Sequence, residues 1–508
     1  MNAITAPINF ALVSAGGDDA SARAEKRLAI DAFWNGDDAT DGETDFTGVV
    51  SRANALLSAT GQATIACPTT PWGVAGPLWN NLNNIYGTLA SAVGGQNAFI
   101  VKPDSVFSDT GGETPAVVGE TVAAFRSLDG ELFATQATEA QRPRYGRHPA
   151  SGLRNQVPNN IGAGAVVGVV GSGGALPDIM FTNNISGREI VAVNEAEGWI
   201  DLRLFGTPTG TANVFFYGAT TIRAATDQTW VASTGLAITG GDLTNISNIQ
   251  QTIFGRDAGG TLIAQGSSAD IKSSLSATVA RFAYSRTLTE AGVGRVSHSL
   301  QIANTGAIDI TLRIQLTQME QGSTPSGIQR ASAGGLNVVE APFRQVSYLK
   351  PDGIDDFMTL STAFEPAGNY SMAAAVFHTA GDSDSHIGST GGNARFGPGN
   401  GLSFAMWANS ADNRTTAVTL SHGRAVYVGR VSAADAPAEI WQNGTAMTPT
   451  LTGLMQPVAT GGFDVLFRAG SAYAKGRFYG GAMLPSAITD TQRQIADRAL
   501  AYASGVTL

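Results

Sequence analysis

Beyond about residue 90 the chain is dominated by short runs in which apolar and polar residues alternate, each run bounded by Gly, Asn or Asp. Residues 212–217 (ANVFFY), 308–316 (IDITLRIQL) and 424–429 (RAVYVG) are examples. Alternation at period two sends successive side chains to opposite faces of a pleated strand, and the bracketing turn residues keep each strand short. No helical pattern interleaves with these runs in the βαβ manner. The expected architecture is therefore all-β, built as two β-sandwich (jelly-roll) domains instead of a parallel sheet.

Helical spacing occurs at the two ends. Residues 20–33 (ASARAEKRLAIDAF) place Ala24, Leu28 and Ala32 on one face, with Asp18, Asp19 or Ser21 available as a cap. After an acidic, turn-rich stretch, residues 49–57 form a weaker helical run that ends before Cys67-Pro68. Residues 1–90 thus differ from the rest and are expected to form a partly helical segment that docks onto something else. Near the C-terminus, Ser486 to Asp490 open a helix whose apolar positions Ile488, Ile495, Ala499 and Tyr502 are helically spaced, and Gly505 stops it. This is a capping helix.

Composition narrows the class. A length of 508 residues exceeds what one core supports, so two or three domains are expected. Only 14% of residues are charged and 62 are glycine, so small and uncharged polar residues must cover the surface, which favours strands and turns over solvated helices. The formal net charge of -10, without a Lys or Arg run, speaks against nucleic acid as a partner. The single cysteine, Cys67, cannot form an intrachain disulfide and reads as a small buried hydrophobe. Residues 1–10 have neither a basic region nor a continuous apolar run, so they do not read as a signal peptide, and no stretch reaches membrane-spanning length. Surface-like composition without an export signal suits a particle assembled in the cytoplasm and released by lysis, with no membrane insertion.

Several motifs resemble concanavalin A-like (laminin-G-type) lectin domains of phage structural proteins. Residues 349–358 (LKPDGIDDFM) resemble the family's FDGVDDYL strand-turn-strand, in which Asp-Gly makes the turn and flanking apolar residues insert into the sandwich. Residues 476–483 (GRFYGGAM), the helix after them and the last six residues are similar to the family's closing strand, helix and terminus. The opening of the same module is similar to residues 106–115, 125–130, 134–138 and Arg142-Pro143. The resemblance thus implies a discontinuous sandwich, residues 91–153 with 336–508. Between its halves, residues 154–335 resemble an inserted carbohydrate-binding-module-like sandwich, through residues 199–207 (WIDLRLFGT), 229–233 (TWVAS) and 315–325 (QLTQMEQGSTP). The last resembles that family's PQLE-G-T ending, with Thr317 where proline is usual.

A glycosidase needs two carboxylates flanking the scissile bond, roughly 5–10 Å apart. Asp355 and Asp356 are adjacent, and on a strand they would face opposite ways, so they read as turn and edge residues, with a calcium or sugar contact as the alternative. Five histidines show no metal-ligand spacing. His378 and His386 straddle Asp382 and Asp384, weak candidates for a cation that read more simply as a solvated loop. Residues 171–174 (GSGG) lack the Lys of a phosphate-binding loop and read as a hairpin turn. No cofactor is implied. Sugar rings stack on aromatic faces while polar neighbours orient their hydroxyls. The glycan-binding candidates are accordingly Trp407, Asn409, Asn413 and Tyr427. Trp441, just before the Gln442-Asn443-Gly444 turn, reads as packing.

The expectation from residues and resemblance together is a non-enzymatic surface fibre or spike of a tailed phage or phage-like particle. It would recognise host surface polysaccharide and gain strength from a homotrimer or larger array, since single sugar contacts are weak. A decoration protein of head or tail without glycan binding is the first alternative. A polysaccharide depolymerase is the second.

Overall fold

The structure, a computed structural model, describes residues 98–508 except 341–342, 367, 379–385, 391–393, 399–402, 409–414, 420–422, 433–436, 450, 453–461, 471 and 507. The expected helices at 20–33 and 49–57, the docking segment and Cys67 lie outside the described residues. The chain divides into two compact units: Met1–Ala150 with Arg344–Leu508, and Ser151–Phe343. Both are antiparallel β-sandwiches, as the alternating pattern predicts. Among the described residues there is one α-helix, Asp490–Ser504.

In the first unit, one sheet runs in the order Arg144–Pro149, Gln345–Lys350, Arg477–Leu484, Tyr370–His378, Gly423–Val431, Glu439–Gln442, Thr445–Ala446. The N-terminal strand Ala98–Ile100 also pairs with Arg477–Leu484. The facing sheet includes Ala124–Arg126, Leu132–Thr135, Met358–Phe364, Phe463–Leu466, Ala394–Pro398 and Ser403–Ala408. Between them lies an aromatic core in which Phe99 stacks on Phe133 at 4.1 Å and Phe404 on Tyr427 at 3.7 Å. Each such ring taken out of water stabilises by roughly 2–3 kcal/mol.

The C-terminal helix covers the outer face of the first sheet, against the strands Tyr370–His378, Gly423–Val431 and Arg477–Leu484. It starts at a capping box: Thr489 accepts from the Gln492 backbone N–H, and the Gln492 side chain reaches back to the Thr489 N–H. It ends at Gly505 in the left-handed region, φ 66°. A Cβ there would stand 2.7 Å from the Ala150 carbonyl, so close approach as well as conformation calls for glycine. The Asn443-Gly444 turn forms as expected, with φ of 48° and 76° joining Glu439–Gln442 to Thr445–Ala446.

In the second unit, one sheet runs Ala280–Thr287, Thr229–Gly241, Ile308–Gln321, Trp199–Gly206, Gly187–Asn194, Gly168–Val169. The other runs Leu262–Ser267, Ile246–Arg256, Arg295–Asn304, Ala212–Phe215, Phe181–Asn183, with Ile222–Arg223 also on Arg295–Asn304. Alternation is direct at Ile308–Ile310: both isoleucines are buried and Asp309 is exposed, held at 2.8 Å by Arg203 of the neighbouring strand. Arg313 stands opposite Asp201 on the same pair of strands and bonds it at 2.9 Å. Residues 171–174 form the expected turn, closed by the Val166 and Ala175 bridge.

Buried polar groups tie residues 151–160 to 318–340. Glu320 and Glu340 are buried, and both face Arg154. Glu320 accepts from the Gln318 amide at 2.8 Å and from Ser326, while Glu340 accepts from Gln329 and Ser151 at 2.9 Å. Gln329 in turn accepts the backbone N–H groups of Arg154 and Asn155. The glutamate of the QMEQGSTP motif is thus a structural clasp. Thr317 sits at a bulge, where the ladder with Thr229–Gly241 skips from Gln315 to Gln318 and Leu316 has φ 45°.

Candidate functional site

Trp407 lies on the strand Ser403–Ala408, its backbone between Arg395 and Thr415. Asn409 and Asn413 lie outside the described residues. Tyr427 corrects the sequence reading: it is wholly buried, its ring pressed flat on Phe404, and it has no face to offer a sugar. The strand Gly423–Val431 is covered on one face by the opposite sheet and on the other by the helix, so alternation there does not separate core from surface.

The other described tryptophans are also committed. Trp441 is buried between the guanidiniums of Arg430 and Arg493, 4.9 and 5.0 Å from its ring. Arg313 covers the Trp199 ring at 3.7 Å, and the indole N–H donates to Glu197. Trp230 is buried and donates to Gln228 at 3.2 Å.

The acidic turn differs from expectation. Asp352, Asp355 and Asp356 fall in the bend after Gln345–Lys350, not on a strand, and one oxygen of each lies within 4.8 Å of the others. Asp352 accepts from the N–H groups of Ile354 and Asp355 at 2.7 and 3.2 Å, and Asp356 accepts from the Asp352 N–H at 2.8 Å. Burial, reinforced by the neighbouring Asp352 and Asp355 charges, pushes the Asp356 carboxyl up to about 7. The Asp352 and Asp356 carboxylates thus satisfy backbone N–H groups of the turn, and with Asp355 they gather three carboxylate oxygens of the kind that could hold a cation. Leu349 and Met358 enter the core as expected, but Ile354 is 73% exposed and does not.

Asp382 and Asp384 lie outside the described residues. The histidines flanking them are buried, with ring centroids 5.0 Å apart, and do not belong to a solvated surface. Burial pushes His386 down to about 3, so it is neutral.

Sequence reading missed a polar cleft of about 440 Å³ in the second unit, lined by Arg154, Gln156, Arg223, Gln228, Trp230 and Gln321, among others. Its floor is the start of the strand Thr229–Gly241, where Trp230 pairs with Gln321. One wall is the loop 224–228, held by the Ala224 N–H on Gly294, the Asp227 N–H on Leu288 and the Gln228 carbonyl oxygen accepting from Ala225. These residues are far apart in sequence and carry no local signature.

No family model matches the chain, and no curated protein matches it. Solved structures with similarity include the baseplate tripod of bacteriophage Tuc2009, 12% identical, TM-score 0.26, over 59% of this chain and 97% of that one. Another is an arabinose-bound α-L-arabinofuranosidase, 14% identical, TM-score 0.24, over 33% of this chain; the chain spans only 26% of that enzyme. A third is the N-terminal CBM22 tandem domain from Paenibacillus barcinonensis Xyn10C, 8% identical, TM-score 0.21, over 66% of this chain and 91% of that one. Among the described residues, no helix is long and apolar enough to cross a membrane.

Proposed function

We propose that the chain is a surface fibre or spike protein of a tailed phage or phage-like particle that recognises host cell-surface glycan without cleaving it. The observation that carries this reading is the pairing of two antiparallel sandwiches, one of them assembled from segments on either side of the other. In this proposal residues 1–90 dock onto the particle. Residues 91–153 and 336–508 form the lectin-like sandwich, and 154–335 the inserted carbohydrate-module-like one. The chain acts as a homotrimer, so that weak sugar contacts add. Trp407, Asn409 and Asn413 are the glycan-binding residues assigned to the lectin-like sandwich.

The test is binding of the full-length protein to host cells and to their extracted capsule or lipopolysaccharide, alongside Trp407→Ala. Saturable binding without shortening of the polymer supports attachment, and loss in the variant supports the site. Absence of binding overturns the reading in favour of a decoration protein, and shortening of the polymer in favour of a depolymerase.

A further inference from the structure

The cleft in the second unit carries an uncompensated positive charge. Arg223 is exposed, and among the described residues its guanidinium has no hydrogen bond, ion pair or ring contact. It stands directly opposite Arg295 in the antiparallel pair formed by Ile222–Arg223 and Arg295–Asn304. Arg295 donates only to the Ala258 carbonyl, at 3.4 Å. Like charges facing each other across a ladder are destabilising, with Cβ atoms about 5 Å apart. Nearby acids are already engaged: Glu320 and Glu340 in the clasp, Glu290 with Arg286. Asp227, in the adjoining loop, is exposed and does not line the cleft.

Around this charge the cleft presents amides with free valences. The Gln228 carbonyl oxygen is taken by Trp230 and Ala225, which leaves its NH₂ as donor. Gln156 donates to the Arg154 carbonyl, which leaves its oxygen as acceptor, and Gln321 is exposed with its side chain uncommitted. A guanidinium suited to a planar or tetrahedral oxyanion, flanked by amides that match hydroxyl groups, describes the chemistry of an acidic sugar. A volume of about 440 Å³ lies within the usual range of small-ligand sites.

We propose that this cleft is a subsite for an anionic sugar unit, its carboxylate or phosphate held by Arg223 and its hydroxyls by Gln156, Gln228 and Gln321. The inference rests on the reading of the chain as a glycan-recognition protein. Bound anion would offset the Arg223 and Arg295 repulsion, so occupancy and local stability are linked.

The experiment is calorimetric titration of the full-length protein with trigalacturonate, glucose 6-phosphate and neutral cellotriose, using wild type and Arg223→Gln. The expected result is binding of an anionic probe that weakens with added salt and falls about tenfold or more in the variant, with cellotriose bound no better by either protein. Preference for trigalacturonate identifies a carboxylate ligand, and preference for glucose 6-phosphate a phosphate. The variant should melt no lower than wild type, since it loses a like-charge contact and no partner. Equal binding by wild type and variant, or equal binding of cellotriose, overturns the inference. If wild type ignores both anions yet binds host cells saturably, the cleft assignment fails and glycan attachment stands. If Arg223-dependent anion binding occurs without host binding, the cleft stands and the attachment reading fails.

Discussion

His298 sits at the centre of the second unit's sheet with no exposure, its ring 4.9 Å from Phe216, and neither ring nitrogen has a hydrogen-bond partner among the described residues. Burial alone pushes its pKa down to about 3 from 6.5. The folded protein therefore keeps it neutral while the unfolded chain protonates it below pH 6.5, so stability contributed by the neutral ring is intact above that pH and lost as pH falls towards 3. The loss is about 1.4 kcal/mol per pH unit over that window, or ~2.7 kcal/mol by pH 4.5. His298→Phe removes the titration and two unsatisfied nitrogens. It should gain ~1–2 kcal/mol at pH 7.5, with the advantage over wild type widening by ~2–3 kcal/mol at pH 4.5. Urea denaturation of both proteins at the two pH values, followed by intrinsic fluorescence, measures this directly. An advantage that does not change with pH would refute the argument, because it would mean that His298 is already solvated or paired.

Three other outcomes follow from the same structure. Glu320→Ala removes an acceptor of Ser326 and the closer acceptor of the Gln318 amide, while Arg154 keeps Glu340 and Arg281 keeps Ser233; it should cost ~1–3 kcal/mol, read as a lower melting transition of the second unit. Tyr427→Ala opens a cavity against Phe404 and should cost ~3–5 kcal/mol, while host binding per folded molecule stays unchanged; selective loss of binding in a protein of normal stability would restore Tyr427 as a contact residue. Asp356→Asn keeps an acceptor for the Asp352 N–H but removes a charge disfavoured by burial and by two neighbours. It should stabilise by ~1–2 kcal/mol at pH 8 and by little at pH 4, where wild-type Asp356 is protonated when folded; an equal effect at both values, in thermal melts, would count against it.

What the sequence by itself determined is local. Period-two alternation placed strands at residues 212–217, 308–316 and 424–429, because a pleated strand leaves each side chain only two directions; the first of them ends at Phe215. Asn443-Gly444 specified its turn, since both positions need positive φ. The spacing of Ile495, Ala499 and Tyr502, stopped by Gly505, marked the C-terminal helix. Tertiary structure decided which faces are wet and which distant groups meet. Tyr427 is buried because it faces the opposite sheet, where Phe404 covers its ring, and nothing in residues 423–431 announces that cover. Ile354 is apolar yet exposed because the turn that binds Asp352 to Asp356 swings it outward. Arg223 meets Arg295, and Gln228 lies near Gln321, through strand register. Register is fixed by the summed burial of whole strands across a sheet and has no signature in the residues that it brings together.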